Sequence, residues 1–389
     1  MNVVREGKNR PIKVWADDVE DGAMEQAKHL AALPFAFRHI ALMPDVHRGY
    51  GMPIGGVMAT QGVIVPNAVG VDIGCGMRAV PLNVLAEDVT RDDLERWVAR
   101  VKDVIPMGFD SRSEPIRDMP EIEDYGLYVV ERRKEKAAKQ IGTLGGGNHF
   151  VEFQRARGDG RVWLMIHSGS RNLGKQVADY YNRVAKERNA MWYSAIDPKW
   201  DLAFLPLNDK TTEPMGGWYV AEMNYCVEYA KLNRATMMDE ALDAIDGLTA
   251  TDEPLDVAHN YAAQEHHFGK NVWVHRKGAT RARKDELGII PGSQGTCSYI
   301  VRGLGNRESF FSCSHGAGRR MGRREAKRTL DLAAEIEAMD AAGIVHGMRG
   351  VDDLDEAASA YKDIDVVMAQ QADLVEIVER LEPLAVIKG

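Results

Sequence analysis

Four cysteines in 389 residues are too few for a disulfide framework, and Cys75, Cys226, Cys297 and Cys313 form no CxxC pair and no regular spacing. That scarcity fits a reducing compartment. An excess of positive charge is missing too: 49 Lys and Arg stand against 58 Asp and Glu, a net charge of −9, which argues against a nonspecific coat on nucleic acid. Internal repeats, low-complexity runs and Pro/Ser-rich linkers are absent, so no boundary stands out and 1–389 reads as one compact domain. The opening stretch MNVVREGKNRPIKVWADDVED is charged throughout and lacks the apolar run of an export signal, so a cytoplasmic protein is expected. Long apolar spans are lacking as well. Gly49–Val71 is uncharged for 23 residues, but Pro53, Pro66, Thr60, Gln61, Asn67 and repeated glycines suit buried strands and turns better than a membrane helix.

Glycine, by contrast, is abundant. The 37 glycines make up about 9.5% of the chain against a usual share of roughly 7%, and they cluster at 49–76, 142–147 and 288–305. Those clusters mark the expected functional loops. Arg91–Val104 carries Leu94, Trp97, Val98 and Val101 at helical spacing, and residues 130–140 read as a charged helix that ends at Gly142. Two further helices are expected at about 324–342, stopped by Gly343, and at about 363–381, stopped before Pro383. Val162–Ile166 is a continuous apolar run of buried-strand type with His167 directly after it. Val272–Val274 ahead of His275, and Ser309–Phe311 ahead of His315, are shorter segments of similar character. Strands and helices mix without a regular βαβ rhythm. The expected class is therefore α+β, with the active site on loops at strand ends.

Within VGVDIGCGM (69–77), Asp72 and Cys75 are held three apart by Gly70, Gly74 and Gly76, which lets a short loop turn a carboxylate and a thiol toward one point. A tight turn around a buried structural cysteine is the plain alternative. Of 11 histidines, His149, His167, His259 and His315 lie among glycines or small residues that core packing rarely needs. Thiolate, carboxylate and imidazole together suit Zn²⁺, Mn²⁺ or Fe²⁺. A bridging cysteine, one carboxylate and three imidazoles would hold two metals, and a pair about 4 Å apart is the usual apparatus of phosphoryl chemistry. His315 is left over beside an arginine-rich run, placed to attack a phosphorus while Arg319 neutralises oxygen charge.

Four features weigh less. Gly169–Gln176 nearly spells a P-loop around Lys175, but Gln176 stands where a hydroxyl must meet Mg²⁺. GTLGGGNH (142–149) follows a charged helix rather than the strand that a dinucleotide fingerprint needs. The basic clusters at 275–284 and 319–328 read first as solvated faces.

At these residues the chain resembles the RtcB family of RNA ligases. The resemblance runs nearly end to end through HIALMPDVHRGYGMPIGGV (39–57), VGVDIGCGMRA (69–79), GTLGGGNHFVEF (142–153), MIHSGSR (165–171), HNY (259–261), RKGATRA (276–282), IIPGSQGTCSYIVRGLGN (289–306), SHGAGR (314–319), AYKDI (360–364) and the terminal VIKG. It implies joining of an RNA 3′-phosphate or 2′,3′-cyclic phosphate to a 5′-hydroxyl with GTP and two Mn²⁺ ions, in RNA repair or tRNA splicing. An accessory activator protein is a further partner it allows. Carried over by position, it implies Asp72, Cys75 and His149 on one Mn²⁺ and Cys75, His167 and His259 on the other, with His315 guanylylated. Asn148, Glu152, Ser293, Ser298, Gly316, Gly318, Tyr361 and Lys388 would line the GTP pocket, and Asp45, Arg171, Arg319 and Arg323 would serve phosphate handling and site structure. Two departures stand out: Gln294 within GSQG, where GSMG is more usual, and IPMGFDSR (105–112), which lies where an RNA end would enter. A two-metal phosphohydrolase and a non-catalytic RNA-end binding protein of the same fold are the alternatives.

Overall fold

The computed structural model describes residues 1–121, 127–208 and 214–389. Six strands form one sheet in the spatial order Asn2–Val4, Ile12–Val14, Ala36–His47, Ile54–Thr60, Lys270–Lys277 and Asn260–His267. Seven form a second: Leu255–Ala258, Gly76–Leu85, Arg161–Ser168, Phe150–Ala156, Val375–Lys388, Ser298–Gly303 and Leu287–Ile290. Every pairing in the second sheet is antiparallel, and the first has one parallel pair, between Ile12–Val14 and Ala36–His47. The architecture is α+β, as expected. A single residue, His259, separates the last strand residue in one sheet from the first in the other.

The Arg91–Val104 helix starts where the pattern predicts because Thr90 caps it, with its hydroxyl accepting from the Asp93 amide while the Asp93 carboxylate accepts from the Thr90 amide. Leu94 and Val101 are buried, and Trp97 packs on Phe153 of the second sheet with ring centroids 5.2 Å apart. Removing such a cap costs about 1 kcal/mol. The charged helix spans Tyr128–Ala138, and Gly142 follows it in a left-handed conformation. Residues 49–71 form the strands Ile54–Thr60 and Val63–Ile64 and the turn Pro66–Ala68, as expected. No helix among the described residues is long and apolar enough to cross a membrane.

Three expected elements come out differently. The 363–381 helix is only Ile364–Ala369; from Val375 the chain becomes a strand ending at Lys388. Val375, Ile377, Val378, Val386 and Ile387 are β-branched, and the segment fills a slot with a partner strand on each side. A register shift between Pro383 and Ala385 absorbs the proline. The 324–342 helix is two, Arg323–Thr329 and Leu332–Ala341, because the Asp331 carboxylate takes the amides of Ala333 and Ala334 and starts a new N-terminus. Ser309–Phe311 is no strand: Phe310 and Phe311 have φ of 52° and 53°, and burial of Phe310 against His39, with ring centroids 4.4 Å apart, offsets the strain.

Candidate active site

Four neighbouring strands of the second sheet deliver the predicted ligands to one end. Cys75 immediately precedes Gly76–Leu85, His149 precedes Phe150–Ala156, His167 is next to last in Arg161–Ser168, and His259 follows Leu255–Ala258. The register places Gly76 opposite both Ser168 and Ala258, and His167 opposite Phe150. As a result Cys75 Sγ lies 3.4 Å from His149 Nε2 and 3.3 Å from His167 Nε2, and Asp72 Oδ2 lies 3.1 Å from His149 Nε2. Asp72, Cys75 and His149 make one candidate metal set, and Cys75, His167 and His259 make another that shares the thiol.

The central helix Met215–Asp243 pins this geometry through two polar residues that the sequence reading missed. Arg234, fully buried, donates from Nη1 to the carbonyls of Gly74 and Ser168 at 2.9 Å each, and its other nitrogens pair with Asp256. Asn233 accepts from the amides of Gly142 and Thr143 and donates to the carbonyls of Thr143 and Gly169. The helix carries other polar residues, among them Glu222, Glu228 and Lys231, so adjacent Asn-Arg gave little local signal. Close approach does the rest: a Cβ on Gly169 would collide with the Asp72 carboxylate.

The donor set suits a divalent cation. His149 Nδ1 meets the Leu144 carbonyl and His167 Nδ1 the Asn148 carbonyl, both at 3.0 Å, which orients the rings and turns each Nε2 toward Cys75. His259 Nδ1 is buried with no hydrogen-bond partner among the described residues. Burial, then the Asp72 carboxylate, push the Cys75 thiol well up, and burial with the neighbouring imidazoles pushes His167 and His259 well down. Burial would also raise Asp72, but the bond from His149 overcomes it and holds the carboxyl below its ordinary value. Cationic charge at the centre would stabilise thiolate, carboxylate and neutral imidazole together.

A separate two-stranded sheet, Ala279–Arg281 paired with Ser312–Ser314, supplies the nucleophile candidate. His315 follows the short strand Ser312–Ser314, and its Nδ1 lies 2.6 Å from Asp45 Oδ2, which also accepts the His315 amide at 3.0 Å. Asp45 is reachable because Ala36–His47 bulges: Leu42 pairs with Gly56 but His47 with Ile54. Lys362 secures the bulge through the carbonyls of Pro44 and Val46, and Gly318 lets the next loop touch Asp45, where a Cβ would clash. With its Nδ1 proton held by a fully buried carboxylate, the ring keeps a lone pair on Nε2. Its centroid is 4.8 Å from that of His259.

Both groups open on a cavity of about 1310 Å³. Its walls include Asp72, Cys75, Asn148, His149, Glu152, His167, His259, Ser293, Gln294, His315, Gly316, Gly318, Arg319, Arg323, Tyr361 and Lys388. Three predicted residues stand behind the walls: Asp45 under His315, Ser298 bonded to Gln154 and the Gly292 amide, and Arg171, which donates to Thr143 and to the Gly108 carbonyl and so braces the glycine loop. Glu356, not anticipated, anchors the far side. It accepts from Arg319 at 3.2 Å, from Arg323 at 3.0 Å and from the Tyr361 hydroxyl. Burial would raise its carboxyl, but Lys388, Arg319 and Arg323 hold it below its ordinary value. Glu152 has only Gln154 and Lys388 to offset its burial, which pushes it up to about 8.

The second basic run is exposed at Arg320, Arg324 and Arg328, as a solvated face would be, but the first is only partly so. His275, Arg276 and Lys277 are buried: His275 Nε2 accepts from the Val65 amide, Arg276 pairs with Glu265, and Lys277, pushed down to about 7 by burial, holds the carbonyls of Tyr50 and Asn67. Lys175 lies on the Arg171–Met191 helix and pairs with exposed Asp179, outside the cavity wall. Arg171–Gln176 of the P-loop pattern are helical and so form no phosphate-binding loop.

The sequence matches the model of a family described as tRNA-splicing ligase RtcB over residues 26–126 and 116–389. It is 38% identical to the RNA-splicing ligase RtcB of Escherichia coli K12, with 98% of each chain covered. It is 33% identical to the tRNA-splicing ligase RtcB of Pyrobaculum aerophilum and 32% identical to that of Thermococcus kodakarensis, each covering 97% of this chain and 95% of the other.

Proposed function

This chain belongs to the RtcB family and is an RNA ligase, and we propose that it joins an RNA 3′-phosphate or 2′,3′-cyclic phosphate to a 5′-hydroxyl with GTP and two Mn²⁺ ions. The observation that carries the proposal is the pairing of Asp45 with His315 Nδ1 at 2.6 Å, next to a ligand set for two ions. An imidazole with its own buried carboxylate is prepared to attack.

His315 Nε2 attacks the α-phosphorus of GTP, a phosphorus–nitrogen bond forms, and pyrophosphate leaves. The guanylyl group then passes to an oxygen of the RNA 3′-phosphate and frees the imidazole. The 5′-hydroxyl attacks that phosphorus last, and GMP departs. A cyclic phosphate is first opened by water. Bound Mn²⁺ supplies charge that polarises the phosphates and lowers the pKa of an attacking oxygen. Asp72, Cys75 and His149 would hold one ion and Cys75, His167 and His259 the other. Arg319 and Arg323 stabilise phosphate charge, and their bonds to Glu356 keep both guanidinium groups oriented. Asn148, Glu152, Ser293, Gly316, Gly318, Tyr361 and Lys388 accommodate the nucleotide, with Arg171 and Ser298 bracing the loops that carry them.

Incubation with labelled GTP and Mn²⁺ should leave a covalent GMP on the protein. A two-metal phosphohydrolase or a passive RNA-end binder leaves none, and absence of the adduct from metal-loaded protein would sink the mechanism.

A further inference from the structure

Two exposed aromatic rings share the cavity wall with the metal ligands, and neither is explained by folding. Phe109 is fully exposed and Tyr50 is 78% exposed. Among the described residues, neither ring stacks on another ring or lies under a cation, unlike exposed Tyr128, which packs on Tyr180 and Arg132. An apolar ring left in water costs stability, yet the backbone beneath each is held firmly. At Phe109, the Gly108 carbonyl accepts from Arg171 at 2.7 Å, the Pro106 carbonyl accepts the Leu144 amide at 2.9 Å, and the Asp110 amide closes the turn on Met107 at 3.0 Å. At Tyr50, its carbonyl takes Lys277 Nζ at 2.5 Å and the Met52 amide at 2.8 Å. The Gln26 carboxamide meanwhile grips both the amide and the carbonyl of Gly49. Rigid backbone under an unpacked ring is how a stacking platform is built, since every nucleobase has a face and little entropy remains to be lost.

We infer that Phe109 and Tyr50 stack on nucleobases of the RNA ends brought together for joining. The inference rests on the RNA-ligase reading and adds a sequence-tolerant grip on the substrate. Arg48 and Arg320 on the same wall supply positive charge for the phosphates between stacked bases, although the chain as a whole is acidic. Phe109 belongs to the IPMGFDSR segment, one of the two departures noted in the sequence.

The test measures the dependence of joining on RNA concentration alongside GMP-adduct formation. Phe109→Ala and Tyr50→Ala should each raise the half-saturating RNA concentration by about tenfold. The GTP dependence of the adduct should stay as it is. Phe109→Trp should behave as wild type and Phe109→Leu as the alanine variant, because bulk without a π-face cannot stack. Replacing the terminal nucleotide by an abasic one should weaken wild type and leave one of the alanine variants no weaker. Unaltered RNA dependence in both alanine variants overturns the inference, as does an effect confined to GTP, which would put the rings over the nucleotide instead. If wild type forms no adduct and joins no RNA, the ligase reading has failed on its own. Fluorescence anisotropy with 3′-phosphorylated single-stranded RNA then decides stacking separately: about tenfold weaker binding by the variants supports it, and equal binding rejects it.

Discussion

Around Cys75, a carboxylate, a thiol and three imidazoles crowd together, and the described protein leaves a buried His259 nitrogen unmet; around Glu356, one buried carboxylate is met by Arg319, Arg323 and Tyr361. The two clusters face one cavity but differ in what completes them. Burial pushes the Cys75 thiol up and the His167 and His259 imidazoles down, so those three groups prefer neutrality until a cation arrives. In the second, three positive groups outweigh the burial of Glu356 and keep it ionised, which holds Arg319 and Arg323 at the cavity wall with positive charge in excess. One is a socket for a cation; the other is a finished frame that can present positive charge to an anion.

The largest break in that comparison is Cys75→Ala. Loss of an outer-shell partner alone costs about 10–100-fold in metal affinity, and a shared thiolate should cost more. Elemental analysis should find less Mn²⁺ than in His259→Ala, with RNA joining lost; equal metal in the two variants would argue against a bridge. The same logic sets a pH dependence. The thiol value is raised, so an arriving ion must displace its proton, and apparent metal affinity should fall by about tenfold per pH unit as pH drops. Metal titrations at several pH values check this slope.

Next in size, His315→Ala should abolish the GMP adduct while metal content and folding stay near normal. An adduct retained in that variant would remove the nucleophile assignment. Glu356→Ala should act in the opposite sense to the cysteine change. Breaking a buried pair by removing one partner costs about 3–5 kcal/mol, and the partial exposure of Arg323 places this one near 3. Denaturant unfolding should register that loss with Mn²⁺ binding largely retained, whereas Cys75→Ala in metal-free protein should unfold close to wild type. The smallest effect is Lys175→Ala. Among the described residues its ammonium pairs only with exposed Asp179, so guanylylation should stay within about twofold of wild type.

Much of the ligand chemistry was legible because glycine-rich loops announce where a chain bends sharply, and Asp72, Cys75, His149, His167, His259 and His315 all stand in such surroundings or beside strands. Local signals also sufficed for the helix at Arg91–Val104, where cap and periodicity agree. Periodicity misled at 363–381, because apolar residues that suit one helical face also suit a strand, and a partner on each side decided between them. Arg234, Asn233 and Glu356 escaped notice for another reason. A polar residue in a helix or turn gives no local hint of whether it meets water or a distant loop.

From residues alone came the donor types of the candidate metal set, the setting of His315 apart from them and the α+β class. These follow from side-chain chemistry and short-range pattern, which travel with the chain. Only tertiary structure decided that His259 stands where the chain passes from one sheet to the other, that Asp45 is turned by a bulge onto His315, and that Lys388 lies opposite Phe150 in a strand rather than in a loose tail. Each depends on pairing between segments far apart in the sequence. Such pairing is settled by burial and register in the folded molecule, which no short stretch of sequence contains.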